Sequence, residues 1–174
     1  EPGAGFRLLD AHLERMRGSA EYFGYPFDAN RARAALEKWV GDGDEPRRVR
    51  LMLSSEGAFA VESAPLAQQS SPLRARLATE PVDSSDPMLF HKTTHRAIYE
   101  RRLAERPGYD EVLLLNERGE LTEFANGNLV VRLEGEDLTP PIDAGLLPGT
   151  LRAELLAVGT VRERTLRPED LAKA

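Results

Sequence analysis

Lys92 is the lysine in this sequence whose neighbours are most suggestive of chemistry. It lies in the run His91-Lys92-Thr93-Thr94-His95-Arg96, the densest cluster of reactive side chains in the chain. Of the 23 basic residues 20 are Arg, and the other lysines, Lys38 and Lys173, are predicted to be solvent-facing helical positions. A lysine beside a domain junction can be desolvated enough to hold a carbonyl cofactor as a Schiff base. The alternative is an ordinary solvated start of a helix.

Glu123 is the second candidate, at the end of a predicted strand. The run Glu120-Leu121-Thr122-Glu123 follows a tight turn after an apolar strand. A carboxylate placed there could hold the proton on a pyridinium nitrogen, so that the ring accepts electrons from a carbanion. An exposed glutamate at a strand end is the simpler alternative.

The third candidate is a phosphate site at the start of a helix. The run Pro148-Gly149-Thr150-Leu151-Arg152 predicts a helix whose first backbone N–H groups and dipole favour an anion. Arg15, on the first predicted helix, could add a guanidinium to the same phosphate. Periodicity alone does not bring these two segments together.

The composition narrows the classes of protein that remain. A chain of 174 residues with 41% hydrophobic residues can build a core. The net charge of −6 argues against nucleic acid or an anionic membrane as partner. Without cysteine, no disulfide, thiolate metal site or cysteine nucleophile can form, and we predict no metal site. We find no membrane-spanning run or signal peptide and expect a cytoplasmic protein.

Hydrophobic periodicity predicts an α+β protein of two subdomains. We expect an N-terminal α/β subdomain over residues 1–80, a Pro-rich connection over 81–90 and a C-terminal cofactor-binding subdomain over 91–174. The predicted helices cover residues 8–23, 28–40, 93–105 and 150–158. The predicted strands are a hairpin at 49–53 and 59–61, a third strand of the same sheet at 73–77, and strands at 111–116, 121–123, 128–133 and 161–166.

Four segments of the chain match one family in order and spacing. They are Arg7–Met16, His91–Arg96, Leu121–Glu123 with Asn128-Leu129, and Leu147–Arg152. Together they resemble the class IV aminotransferases, which are fold-type IV pyridoxal-phosphate enzymes. The form of the lysine motif, with Pro81–Pro87 before it, most resembles aminodeoxychorismate lyase, in particular the lyase domain fused behind an aminodeoxychorismate synthase component.

The resemblance implies the fold and the role of each site residue. The cofactor cleft would lie between the two subdomains of a homodimeric enzyme, and we expect this sequence to lack the family's first and last strands. Lys92 would bind pyridoxal 5'-phosphate covalently and then move the substrate proton. Glu123 would hold the pyridinium N–H, and Asn128 would support the loop around Glu123.

The remaining implied contacts concern the phosphate and the substrate. Arg15 would bind the phosphate through its guanidinium, and Gly149 with the backbone N–H groups of Thr150 and Leu151 would complete the phosphate cup. Arg96 would contact a substrate carboxylate.

The implied activity is the release of pyruvate from 4-amino-4-deoxychorismate to give 4-aminobenzoate for folate synthesis. A transaminase of the D-amino-acid or branched-chain type is the second interpretation. The branched-chain subgroup carries a tyrosine where this sequence has Ala97, which disfavours that subgroup. A truncated, catalytically silent domain of the same fold is the third interpretation.

Overall fold

The computed structural model separates the chain into two compact units, Glu1–Gln69 and Ser70–Ala174. Its described residues are 5–37, 39, 45–66, 72–105 and 107–174. Over these ranges, no helix is long and apolar enough to cross a bilayer. The predicted functional boundaries at residues 80 and 90 stay a prediction.

Helices and strands occur in both units, as an α+β protein requires. The α-helices of the described residues are α1 (Leu9–Phe23), α2 (Ala29–Glu37), α3 (Ala97–Ala104) and α4 (Thr150–Ala157). The strands are β1 (Arg47–Leu53), β2 (Phe59–Pro65), β3 (Ala75–Leu77), β4 (Glu111–Leu115), β5 (Leu121–Phe124), β6 (Gly127–Asn128), β7 (Val131–Leu133), β8 (Glu136–Thr139) and β9 (Arg162–Glu163). Within the described ranges, 3-10 helical turns cover Pro87–Leu89, Ile142–Ala144 and Pro168–Lys173.

The first unit contains α1, α2 and the antiparallel β1–β2 hairpin. Helix α1 ends at Gly24, which adopts a left-handed conformation that glycine tolerates. Helix α2 begins after Asp28, whose carboxylate accepts hydrogen bonds from the backbone N–H groups of Asn30 at 2.8 Å and Arg31 at 3.1 Å. The start of the predicted helix is therefore confirmed, with Asp28 as its N-cap. The predicted end of this helix, at residues 38–40, includes positions outside the described residues.

The second unit holds two sheets. One has the strand order β3-β4-β5-β6, in which β3 and β4 are parallel and the other pairs antiparallel. The other has the order β7-β8-β9, in which β8 and β9 are parallel. The chain passes from one sheet to the other at residues 129–130.

Strand β4 is covered on both faces, which explains its continuous apolar sequence. Val112 and Leu114 belong to an apolar cluster with Tyr99 of α3. Leu113 points to the opposite face, into a cluster with Leu121 and other leucines and valines of β7 and β8. The face with Val112 and Leu114 is the one on which Tyr99 reaches the carboxylate of Glu123.

The structure corrects three predicted elements. Strand β3 pairs with β4 and not with the β1–β2 hairpin. The predicted strand 128–133 is two strands in different sheets, β6 and β7. Helix α3 begins at Ala97 rather than at Thr93, because the Thr93 hydroxyl accepts a hydrogen bond from the His95 N–H at 3.1 Å and forms a local turn instead.

Candidate active site

A bulge in β5 directs the Glu123 side chain toward α3. Leu113 pairs with Phe124 and Leu115 pairs with Leu121, so that two residues of β5 lie opposite the single residue Leu114. The extra residue reverses the regular alternation of side chains along β5. Leu121 therefore enters the apolar cluster with Leu113, whereas Glu123 reaches Tyr99 on the other face.

Three donors hold the Glu123 carboxylate, which is only 4% exposed. The Tyr99 hydroxyl donates to Oε1 at 2.9 Å, and the Asn128 side-chain amide donates to Oε2 at 3.0 Å. The backbone N–H of Leu147 is the third donor. Asn128 is the cross-strand partner of Glu123 in the β5–β6 hairpin, which explains why the two residues lie on the same face.

Burial raises the pKa of Glu123 to about 7, because the charged carboxylate loses its hydration. The hydrogen bonds from Tyr99 and Leu147 and the positive charges of Lys92 and Arg96 oppose this rise. The carboxylate thus lies within electrostatic range of Lys92. Burial of Tyr99, with the negative charge of Glu123, likewise raises the pKa of the Tyr99 hydroxyl and keeps it protonated as a donor.

Lys92 and Arg96 occupy the segment between the 3-10 turn Pro87–Leu89 and α3. Lys92 is exposed. The Arg96 guanidinium donates to the backbone oxygen of Ala125 at 2.6 Å and to Oδ1 of Asn126 at 3.3 Å. The Cζ atom of this guanidinium lies 4.7 Å from the centre of the Tyr99 ring. Arg96 is therefore bound to the turn of the β5–β6 hairpin, and its predicted contact with substrate stays a prediction.

Gly149 lies against Asn128 at the start of α4. A Cβ atom on Gly149 would lie 2.0 Å from Oδ1 of Asn128, so a larger residue at this position would displace the Asn128 side chain. The Asn128 amide also donates to the backbone oxygen of Leu147 at 2.9 Å. Thr150 and Leu151 follow as the first residues of α4. The structure thus brings the helix start and the Glu123–Asn128 pair together.

Arg15 is the predicted site residue that belongs to the first unit. It lies on α1, with Nη2 3.4 Å from Nδ1 of His12. Its role as a phosphate ligand stays a prediction.

Sequence reasoning missed Tyr99. Its position three residues after Arg96, on the apolar face of the predicted helix, was the available signal, since residues at this spacing are neighbours on a helix. It also missed the polar network behind the lysine segment. There the backbone N–H and the hydroxyl of Ser84 each donate to Glu117 at 2.8 Å, and Arg118 donates to the Ser84 hydroxyl at 2.5 Å.

Comparison with known proteins identifies the family. The model of the family described as "Amino-transferase class IV" matches residues 1–174, the whole chain. The chain belongs to the class IV aminotransferase family. Members of this family use pyridoxal 5'-phosphate.

Relatives within the class IV family include proteins named for two different reactions. A Schizosaccharomyces pombe protein, provisionally named aminodeoxychorismate lyase, is 32% identical over 167 residues, which are 90% of this chain and 70% of the relative. The crystal structure of a Mesorhizobium loti protein, provisionally named amino-acid aminotransferase, has a TM-score of 0.92 at 36% identity. The match covers 100% of this chain and 86% of that one.

A third comparison concerns the fold alone. A hypothetical aminotransferase from Mycobacterium tuberculosis, in a form bound to α-ketoglutarate and PMP, has a TM-score of 0.81 at 23% identity. The match covers 97% of this chain and 70% of that chain.

The residues present fit the family's cofactor. The Glu123 carboxylate is buried and accepts hydrogen bonds from Tyr99 and Asn128, and a cationic ring N–H is a suitable further partner for its negative charge. Gly149, which has no side chain to cap the helix, precedes the first turn of α4, a place that suits a phosphate. Lys92 supplies the amine within electrostatic range of Glu123.

Proposed function

We propose that the chain is the lyase part of a pyridoxal-phosphate enzyme that converts 4-amino-4-deoxychorismate into 4-aminobenzoate and pyruvate. The observation that carries the cofactor assignment is the buried Glu123 carboxylate, held by Tyr99 and Asn128 within electrostatic range of Lys92. The choice of reaction is supported by the 32% identity to the S. pombe protein and by the His91–Arg96 motif.

Each residue of the site would perform one task. When bound, pyridoxal phosphate supplies a carbonyl that captures the substrate amine and a ring that accepts the electron pair left by the departing proton. Glu123 would accept the hydrogen bond of the ring nitrogen and preserve its positive charge. The backbone N–H groups at the start of α4, at Thr150 and Leu151, would bind the phosphate together with Arg15.

Lys92 would move the proton. Its amine would take the proton from the ring carbon that carries the substrate amino group. The C–O bond to the enolpyruvyl side chain would then break with its electron pair on oxygen, and the six-membered ring would become aromatic. The released enolpyruvate would take up a proton at its methylene carbon to become pyruvate. Since aromatisation drives the elimination, orienting the C–H bond and stabilising the carbanion are the main tasks left to the protein.

A transaminase is the second candidate function. It is favoured by the match to the M. loti protein, which covers more of that chain than the S. pombe match covers of its relative. Lyase and transaminase use the same cofactor and differ in the substrate pocket. The branched-chain subgroup carries a tyrosine at the position of Ala97, so membership of that subgroup is disfavoured.

Reductive labelling tests the cofactor assignment. The purified protein is incubated with pyridoxal phosphate, reduced with borohydride and mapped by mass spectrometry. We expect the label on Lys92, its loss in Lys92→Arg, and its retention in Lys173→Arg, which alters an exposed lysine paired with Asp170. Label on Lys173 or Lys38, or no label, would contradict the proposal and favour the silent domain.

A steady-state assay then separates the two reactions. The lyase releases pyruvate from aminodeoxychorismate without a keto acid, whereas a transaminase needs a keto acid to turn over. Amino-group transfer from an amino acid to an added keto acid, without pyruvate release from aminodeoxychorismate, would overturn the lyase assignment and support the transaminase.

The proposed assembly is a homodimer, and we propose that the chain is fused to an aminodeoxychorismate synthase component. Size-exclusion chromatography with light scattering tests the first part. A mass of one chain at micromolar concentration would contradict it.

A further inference from the structure

Tyr99 is buried in contact with the candidate active site, yet the proposed reaction assigns it no task. It is 8% exposed and packs in the apolar cluster with Val112 and Leu114. A tyrosine needed only for packing would be replaceable by phenylalanine, which has the same ring. The hydroxyl group of Tyr99 instead donates to Oε1 of Glu123 at 2.9 Å.

A chain of contacts fixes the Tyr99 ring. The Arg96 guanidinium lies over the ring, 4.7 Å from its centre, and donates to the backbone oxygen of Ala125 at 2.6 Å. Arg96 thereby joins the start of α3 to the turn of the β5–β6 hairpin. This hairpin carries Glu123 on one strand and Asn128 on the other.

We propose that Tyr99 is a positioning residue for the Glu123 carboxylate, and that Arg96 clamps the Tyr99 ring against the β5–β6 hairpin. Arg96 acts through Tyr99 in this arrangement. The inference rests on the proposed function only in so far as Glu123 serves the ring nitrogen of the cofactor.

The surroundings of Glu123 show what this positioning controls. Besides Tyr99, the groups that face the carboxylate are the Asn128 amide, the Leu147 N–H and the positive charges of Lys92 and Arg96. These donors and charges hold the pKa of Glu123 down against its burial. The hydroxyl of Tyr99 contributes a hydrogen bond that exists only while its ring stays in place.

Removing that hydroxyl has a defined consequence. In Tyr99→Phe the carboxylate loses a donor inside a buried site, so its protonated form is favoured at higher pH. A protonated Glu123 donates a hydrogen bond where the ring nitrogen requires an acceptor. The positioning role thus predicts a measurable change in the protein without any cofactor.

The experiment is a carboxyl titration of the cofactor-free protein by carbon NMR with labelled glutamate. The Glu123 resonance is identified by its absence in Glu123→Gln. We expect its midpoint to rise by about one pH unit in Tyr99→Phe, as loss of one buried hydrogen bond implies. In Tyr109→Phe, the control, an exposed tyrosine that contacts Arg76 is altered, and the midpoint should not move.

A second variant tests the clamp. Arg96→Lys keeps the positive charge but loses the planar contact with the Tyr99 ring. We expect the Glu123 midpoint to rise in this variant too, by less than in Tyr99→Phe, while the circular dichroism spectrum stays native. An unchanged midpoint in Arg96→Lys would overturn the role of Arg96.

The outcomes separate this inference from the proposed function. An unchanged midpoint in Tyr99→Phe overturns the positioning role, whatever the cofactor experiment shows. A raised midpoint supports it even where borohydride places no label on Lys92, which would overturn the cofactor assignment alone.

Discussion

Replacing Glu123 by Gln removes a group whose burial makes the stability of the protein depend on pH. The pKa of this carboxyl is 4.5 in the unfolded chain and about 7 in the folded protein. Below pH 4.5 both states hold the proton, and the carboxyl carries no penalty. As the pH rises, the unfolded state ionises first, so that folding is disfavoured by about 3 kcal/mol once the pH exceeds 7.

Urea unfolding of the cofactor-free proteins, followed by circular dichroism, measures this penalty. Between about pH 5 and pH 8 the wild type should lose about 2.5 kcal/mol of stability relative to Glu123→Gln. Glu154→Gln, at an exposed position of α4, is the control and should track the wild type at every pH. A constant difference between wild type and Glu123→Gln across this range would refute the argument that burial dominates at Glu123.

Two glycine substitutions test the packing around the site. Gly149→Ala places a Cβ 2.0 Å from Oδ1 of Asn128. We expect this variant to lose about 1–3 kcal/mol of unfolding free energy, measured by thermal unfolding, and to bind the cofactor more weakly. In the control, Gly127→Ala, the added Cβ meets no neighbouring atom, so the loss should be far smaller. Gly145→Ala places a Cβ 2.8 Å from the backbone of a neighbouring loop, so it should lower the melting temperature more than Gly108→Ala, which has the same φ of 88° but open space. Equal losses within either pair would contradict the packing argument.

The order of helices and strands was largely predictable from sequence. Alternation and helical periodicity are local properties, so α1, the β1–β2 hairpin, β4 and α4 were predicted close to their observed bounds. The partners of a strand are not local. The segment 75–77 has the pattern of a strand, but whether it joins the hairpin before it or β4 after it depends on contacts between residues far apart in the chain.

The residues of the candidate site and their roles were predictable through the family resemblance, but the distances between them were not. Lys92, Glu123, Asn128 and Gly149 lie in the sequence motifs. The structure adds the contacts that Asn128 makes with Glu123 and Gly149. A methyl group on Gly149 would lie 2.0 Å from Oδ1 of Asn128. This close approach depends on how α4 packs against the β5–β6 hairpin. The hydrogen bond from Tyr99 depends on the packing of α3 against the same sheet.

The irregularity in β5 matters for any attempt to graft this carboxylate onto another protein. The three-letter run Leu121-Thr122-Glu123 is short enough to occur by chance in many strands, and in a regular strand its first and third side chains share a face. Here they do not, because two residues of β5 lie opposite Leu114. A graft that copies this sequence into a strand without a bulge would place the Glu123 carboxylate in the apolar cluster with Leu113 and Leu121. Deleting one residue of β5 would have the same effect in the present chain.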